Sequence, residues 1–217
     1  MLKRLIIIPL LTMLAACGHT GAAPDAGSLT DSVQPDAAPA VASVKTILNE
    51  GYVQAVHQLL DGAKTSLKVV HFMINKDTAG DEIVKKLGAA AARGVKVQVV
   101  LEDSVDDNLG RVTELAALGV SARLEEKTLY THAKLVVADG ARALFGSSNF
   151  SWSSMYKNNE ANVLVTDPAL VKFFEGFADA VYKSPASHPS LTLASTSLGT
   201  ARDDGGTQDK GQSAALV

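Results

Sequence analysis

The sequence predicts an α/β fold, a layered α-β-α sandwich around a mixed central sheet. Two observations carry this. Segments with helical period alternate with short apolar runs along the middle of the chain. One pair of runs flanks Asp139-Gly140, the strongest short hairpin signal, which adds an antiparallel pair to the alternation. No internal repeat is seen.

In order, Val53, Val56, Leu60 and Ala63 fit one face of a first helix. Leu67 to Ile74 is a continuous apolar run, read as a buried strand. Ile83, Val84, Leu87, Ala90 and Ala91 mark a second helix that ends at Gly94. Val95 to Leu101 is valine-rich and reads as a strand. Leu109 to Leu118 is a third helix stopped by Gly119, and Val120 to Leu124 a short strand. Ala133–Ala138 and Ala141–Phe145 form the hairpin, and Ala161 to Thr166 is a further strand. Asp167 can cap a last helix that opens on Pro168, with Phe174, Phe177 and Val181 along its face.

The chain has 217 residues, enough for one domain with a real core. Residues 1–17 read as a signal peptide. Met1-Leu2-Lys3-Arg4 is basic, Leu5 to Ala16 is apolar, and the run is too short to span a bilayer as a mature helix. Leu14-Ala15-Ala16-Cys17 looks like a bacterial lipobox, so Cys17 is the expected lipidation site. Gly18 follows it without the inner-membrane retention signal of such lipoproteins. The expected location is therefore the cell envelope, lipid-anchored at the outer membrane and facing the periplasm or the surface. Cys17 is the only cysteine, which excludes a disulfide framework and a cysteine metal site. Residues 18–43 read as a flexible tether, 44–184 as the folded domain and 185–217 as a disordered tail. From Val41 to Pro185 there are 16 Lys and Arg against 17 Asp and Glu, so the basic footprint of a strong nucleic-acid binder is absent.

The chemistry-bearing segment is His132-Ala133-Lys134, followed by Asp139 and then Gly146-Ser147-Ser148-Asn149. Alternation along a strand puts His132 and Lys134 on one face, and Ser147 with Asn149 likewise if that segment is extended. Asp139 has the opposite parity and suits a structural role at the turn. An imidazole, an ammonium, a hydroxyl and an amide on one face make a phosphate site. The imidazole can attack phosphorus while the donors stabilise the developing charge. No cofactor is expected: a protonated lysine cannot ligate a metal, and no Cys, His or carboxylate cluster has ligand spacing here.

These positions match the pattern His-x-Lys-x4-Asp-x6-Gly-Ser-x-Asn, which resembles the signature of the phospholipase D superfamily. All six signature positions are present, and the resemblance runs from about Val44 to Lys183, including Arg93-Gly94-Val95-Lys96-Val97. It looks closest to the single-motif bacterial endonucleases and cardiolipin hydrolases. The resemblance implies His132 as the nucleophile of a phosphohistidine intermediate, with Lys134, Ser147 and Asn149 holding the phosphate. It also implies Glu160 as the residue that orients the imidazole. Asp139 belongs to the signature, and its catalytic role is open.

The substrate that follows is a phosphodiester, either a phospholipid or a nucleic acid, and an inactive binding lipoprotein is the remaining alternative. The acidic stretch Glu102 to Asp107 follows a strand end, where it is either a solvated loop or a border of the site that repels long polyanions. With the anchor, it tilts the expectation toward phospholipid. One histidine cannot both attack phosphorus and protonate the leaving oxygen on the opposite side. A two-fold homodimer sharing the site supplies the second histidine. The rival is a monomer in which His71 or His57 serves as the acid, although both read more simply as core or surface residues.

Overall fold

The structure is a computed structural model that describes residues 43–126, 129–183 and 191. Cys17, the tether as far as residue 42 and most of the tail lie outside the described residues.

Seven strands form one mixed sheet in the order β1-β7-β6-β5-β2-β3-β4. They are β1 (Val44–Leu48), β2 (Ser66–His71), β3 (Lys96–Leu101), β4 (Ser121–Leu124), β5 (Lys134–Ala138), β6 (Arg142–Gly146) and β7 (Ala161–Val165). β2, β3 and β4 are parallel, and every other pairing is antiparallel. The helices are α1 (Gly51–Gly62), α2 (Thr78–Ala92), α3 (Asp106–Ala117), α4 (Trp152–Tyr156) and α5 (Pro168–Lys183). Leu67, Val69, Val136 and Ala138 pack with α1, α2 and α3 on one face of the sheet. Val70, Leu135 and Val137 pack with Val171, Ala178 and Val181 of α5 on the other. The two faces alternate along each strand as the pleat requires, and the result is the expected α-β-α sandwich.

The turn chemistry matches the expectation. Asp139 and Gly140 both have positive φ, at 56° and 60°, as a type I′ hairpin turn demands. Gly94 and Gly119 follow α2 and α3 with φ of 88° and 81°. Asp167 accepts the Leu170 N–H at 2.9 Å and caps α5.

The strand read as Leu67 to Ile74 ends three residues earlier, at His71. Beyond it, the Phe72 carbonyl and the Ile74 N–H are bonded to the buried side chain of Asn108, and Ile74 keeps an isolated bridge with Phe150. α3 begins at Asp106, ahead of the expected Leu109, because Asp106 and Asp107 sit favourably in the first turn of a helix. The acidic stretch is therefore not a free loop. β1 and α4 were not foreseen.

Candidate active site

The signature residues other than Asp139 gather at the edge where β2 and β3 end, β5 begins, β6 ends and β7 begins. His71 of β2 lies opposite Lys134 of β5, and Gly146 of β6 lies opposite Asn162 of β7. Antiparallel pairing thus brings segments distant in sequence to one place.

His132 precedes β5 rather than lying within it, and its ring is exposed. The ring packs against Phe72, with centroids 4.8 Å apart, and lies nearly parallel to Tyr130 at 6.1 Å. Lys134 is 8% exposed. Its Nζ donates to the His132 carbonyl at 2.8 Å and sits 4.9 Å from the Phe72 ring centroid. Burial pushes the ammonium pKa below its ordinary value, and the charge of Glu160 opposes that shift. Phe72 therefore floors both residues, a contact with no signal in the sequence beyond an apolar run.

Ser147 and Glu160 are joined directly: the Ser147 hydroxyl donates to the Glu160 carboxylate at 2.5 Å and accepts the Ala161 N–H at 3.0 Å. Asn158 donates to the other carboxylate oxygen at 3.3 Å. Among the described residues these are the side-chain partners of the carboxylate, and His132 is not one of them. Glu160 instead holds Ser147 and faces the charge of Lys134. Its backbone is gripped from the N-terminal side. The Asn49 side chain accepts the Glu160 N–H at 2.9 Å, and the Asn49 N–H donates to the Glu160 carbonyl at 3.0 Å. The turn between Ser147 and Asn149 is held by buried Asn162, which accepts from Ser148 N and donates to its hydroxyl. The side-chain oxygen of Asn149 is buried without a hydrogen-bond partner.

Asp139 does not join this group. It sits at the far end of β5, five residues or about 17 Å along the strand from Lys134. Its carboxylate accepts the backbone N–H groups of Lys64, Thr65 and Ser66 and the Thr65 hydroxyl. Although partial burial raises it, these bonds hold its pKa down at about 2. These bonds lock the hairpin turn against the start of β2.

His71 and His57 fit the core and surface readings. His71 is fully buried and stacked on Phe150 at 3.8 Å, with Nδ1 against the Met73 carbonyl at 2.9 Å. Burial, aided by the charge of Lys134, depresses its pKa to about 3, so it stays neutral and is a poor proton donor. His57 faces Glu82 of α2 at 3.7 Å.

On the α5 side a cavity of about 420 Å³ adjoins the site. Phe145, Phe173, Phe174 and Phe177 wall it, and His132 and Lys134 also line it. Its phenylalanines contact one another, with Phe145 and Phe174 centroids 4.4 Å apart. Sequence reading placed Phe174 and Phe177 on the packed face of α5, but could not show that part of this face stays open beside the site. Among the described residues, no three His, Cys, Asp or Glu side chains converge as metal ligands would.

Residues 56–180 match the family described as cardiolipin synthase, PLD-like domain. The chain is 29% identical over 152 residues to the 5'-3' exonuclease PLD3 of Rattus norvegicus, covering 61% of this chain and 31% of that protein. It is 23% identical over 124 residues to the mitochondrial cardiolipin hydrolase of Chlamydomonas reinhardtii, covering 57% of this chain and 54% of that one. The chain thus spans about a third to a half of the length of these relatives. The fold is similar to that of Nuc from Salmonella typhimurium, with a TM-score of 0.57 and 24% identity over 64% of this chain and 92% of that chain. The matched stretch contains every signature residue from His132 to Asn149, set on a sheet of that fold, and the chain belongs to the phospholipase D superfamily.

Proposed function

We propose that this member of a phosphodiesterase superfamily hydrolyses a phospholipid, with His132 as nucleophile. The observation that carries the lipid reading is the phenylalanine-walled cavity lined by His132 and Lys134. A diester held on Lys134, Ser147 and Asn149 has its apolar substituent beside a surface that welcomes it. The near balance of charge over the folded part supports the same choice, because a long polyanion finds no attracting field.

In the first step a P–N bond forms at His132 and the P–O bond to the leaving alcohol breaks, with the proton supplied to the leaving oxygen by a second imidazole. In the second step water forms a P–O bond, the P–N bond breaks, and the second imidazole takes the water's proton. His132 of the partner subunit in a two-fold homodimer fills that role, since His71 is buried and neutral. The enzyme works at the cell envelope, anchored through Cys17, and mass spectrometry of the native protein reads that acylation directly.

The test is turnover of the purified protein on cardiolipin, phosphatidylcholine and single-stranded DNA side by side. Cleavage of a lipid in preference to DNA is expected. The second reading, a nuclease, is favoured by the flat face of exposed Tyr130 beside His132, on which a base can stack. Cleavage of DNA alone would establish it and remove the lipid reading.

A further inference from the structure

We infer that Glu102 is a positioning residue that sets the place of His132. This rests on the reading of His132 as nucleophile. Glu102 directly follows β3 and is 2% exposed. Its two oxygens hold different segments: Oε1 accepts the Ser104 N–H at 3.2 Å, and Oε2 accepts the Thr131 N–H at 2.5 Å. Thr131 is itself buried and immediately precedes His132. On the other side of His132, the Ala133 carbonyl accepts the Phe72 N–H at 2.8 Å. The backbone is thus gripped on both sides of the exposed imidazole, once from the end of β3 and once from the end of β2.

The two grips are tied together. Asn108 of α3 is fully buried, and its Nδ2 donates to the Phe72 and Glu102 carbonyls, each at 2.8 Å. Its Oδ1 accepts the Ile74 N–H at 3.1 Å. Between Leu124 and Lys134 none of the described residues belongs to a strand or helix, so the sheet ladder does not hold them. A carboxylate is costly to bury and is retained where charge-assisted hydrogen bonds compensate. Here one of those bonds falls on the backbone amide next to the attacking residue. The Phe72 ring, held by the same bracket, contacts both His132 and Lys134.

The consequence for rate follows from geometry. Attack needs the nitrogen within about 3–3.5 Å of phosphorus and aligned, and a displacement of about 1 Å can cost on the order of 100-fold. Glu102→Gln keeps the volume but replaces one acceptor oxygen by an NH2 group and removes the charge from the other, so the bond to the Thr131 N–H is lost or weakened.

The experiment compares the wild-type protein with Glu102→Gln, recording kcat, KM, the melting temperature, the NMR signals of the His132 ring and hydrogen exchange at the Thr131 amide. The expected result is a kcat lower by about 10- to 100-fold with KM changed less than about twofold. A broadened or shifted His132 ring signal and faster exchange at Thr131 should accompany it. A folded variant with wild-type kcat, an unchanged ring signal and unchanged Thr131 exchange would overturn the assignment. A merely structural role would lower the melting temperature and leave kcat per folded molecule alone, which would equally overturn it. If Glu102→Gln does not fold, Glu102→Asp, which keeps the charge and shortens the reach, is read by the same criteria. If the wild type cleaves no diester, the function proposed above fails, and the His132 ring and Thr131 exchange signals alone then decide whether Glu102 positions the loop.

Discussion

His132 is a signature residue whose side chain is open to solvent while the backbone is tied on both sides of it. His132→Ala is therefore expected to leave the melting temperature nearly unchanged and to lower turnover by on the order of 1000-fold or more. A well-folded variant that retains its rate would remove the nucleophile assignment. His71 offers the opposite case, an imidazole fixed in the core. Its folded pKa is about 3 against an ordinary 6.5, so below pH 6.5 the unfolded chain takes up a proton that the folded chain refuses. Stability should be full above pH 6.5 and decline as the pH falls toward 3. His71→Phe, which preserves the stack on Phe150, is expected to flatten that decline in urea midpoints measured at pH 7.5 and pH 5. His57, lowered chiefly by partial burial, acts in the same sense, so a shallower slope should remain. At this scale the sequence showed the signature residues and, by strand parity, that Asp139 stands apart from His132 and Lys134. It could not show Glu102 or Phe72 as partners, because an acid after a strand and an aromatic residue in an apolar run look the same whether they support a site or not.

The elements were legible where period and turn chemistry agreed, as in α2 with Gly94 and the hairpin at Asp139-Gly140. β1 escaped because an edge strand burying only Ile47 has almost no pattern, and α4 because five residues are too few to show a period. The acidic stretch misled for a related reason: charge suggested a loop, whereas two of its aspartates open α3 and Glu102 is buried. The close approach of β6 to β7 is a feature that only the structure reveals. A side-chain carbon on Gly146 would lie 2.4 Å from Asn162 Oδ1 and 2.5 Å from the Ala161 carbonyl. Gly146→Ala is expected to force these strands apart at the site end, costing about 1–3 kcal/mol. It should also lower turnover by displacing Ser147 and the turn that Asn162 holds. Thermal unfolding and kcat on the same sample check both, and an unperturbed variant would mean that the strands yield freely.

For the whole molecule, the sandwich and its family were legible because six fixed positions are hard to meet by chance, while an assembly was not, because a single chain carries no record of a partner copy. On the proposed shared site the second imidazole comes from the partner copy, so activity should depend on protein concentration. Mixing inactive His132→Ala chains with wild-type chains should depress activity beyond simple dilution, and sedimentation of the active species should report two chains. Full activity per chain in a preparation that sediments as one chain would sink the shared site. No described helix is long and apolar enough to cross a membrane.

The pairing of β1 with β7 bears on how this protein can be trimmed. The family match begins at residue 56, which suggests a convenient place to cut. A fragment starting at Gly51 or later would lose β1 and leave the β7 backbone as a bare sheet edge, open to pairing with other chains. It would lose Asn49 as well, and with it both backbone bonds that seat Glu160. Light scattering should show such a fragment aggregating where a fragment starting at Ser43 does not. A piece cut to the match would contain every residue of the signature and still be too short to hold them in working order.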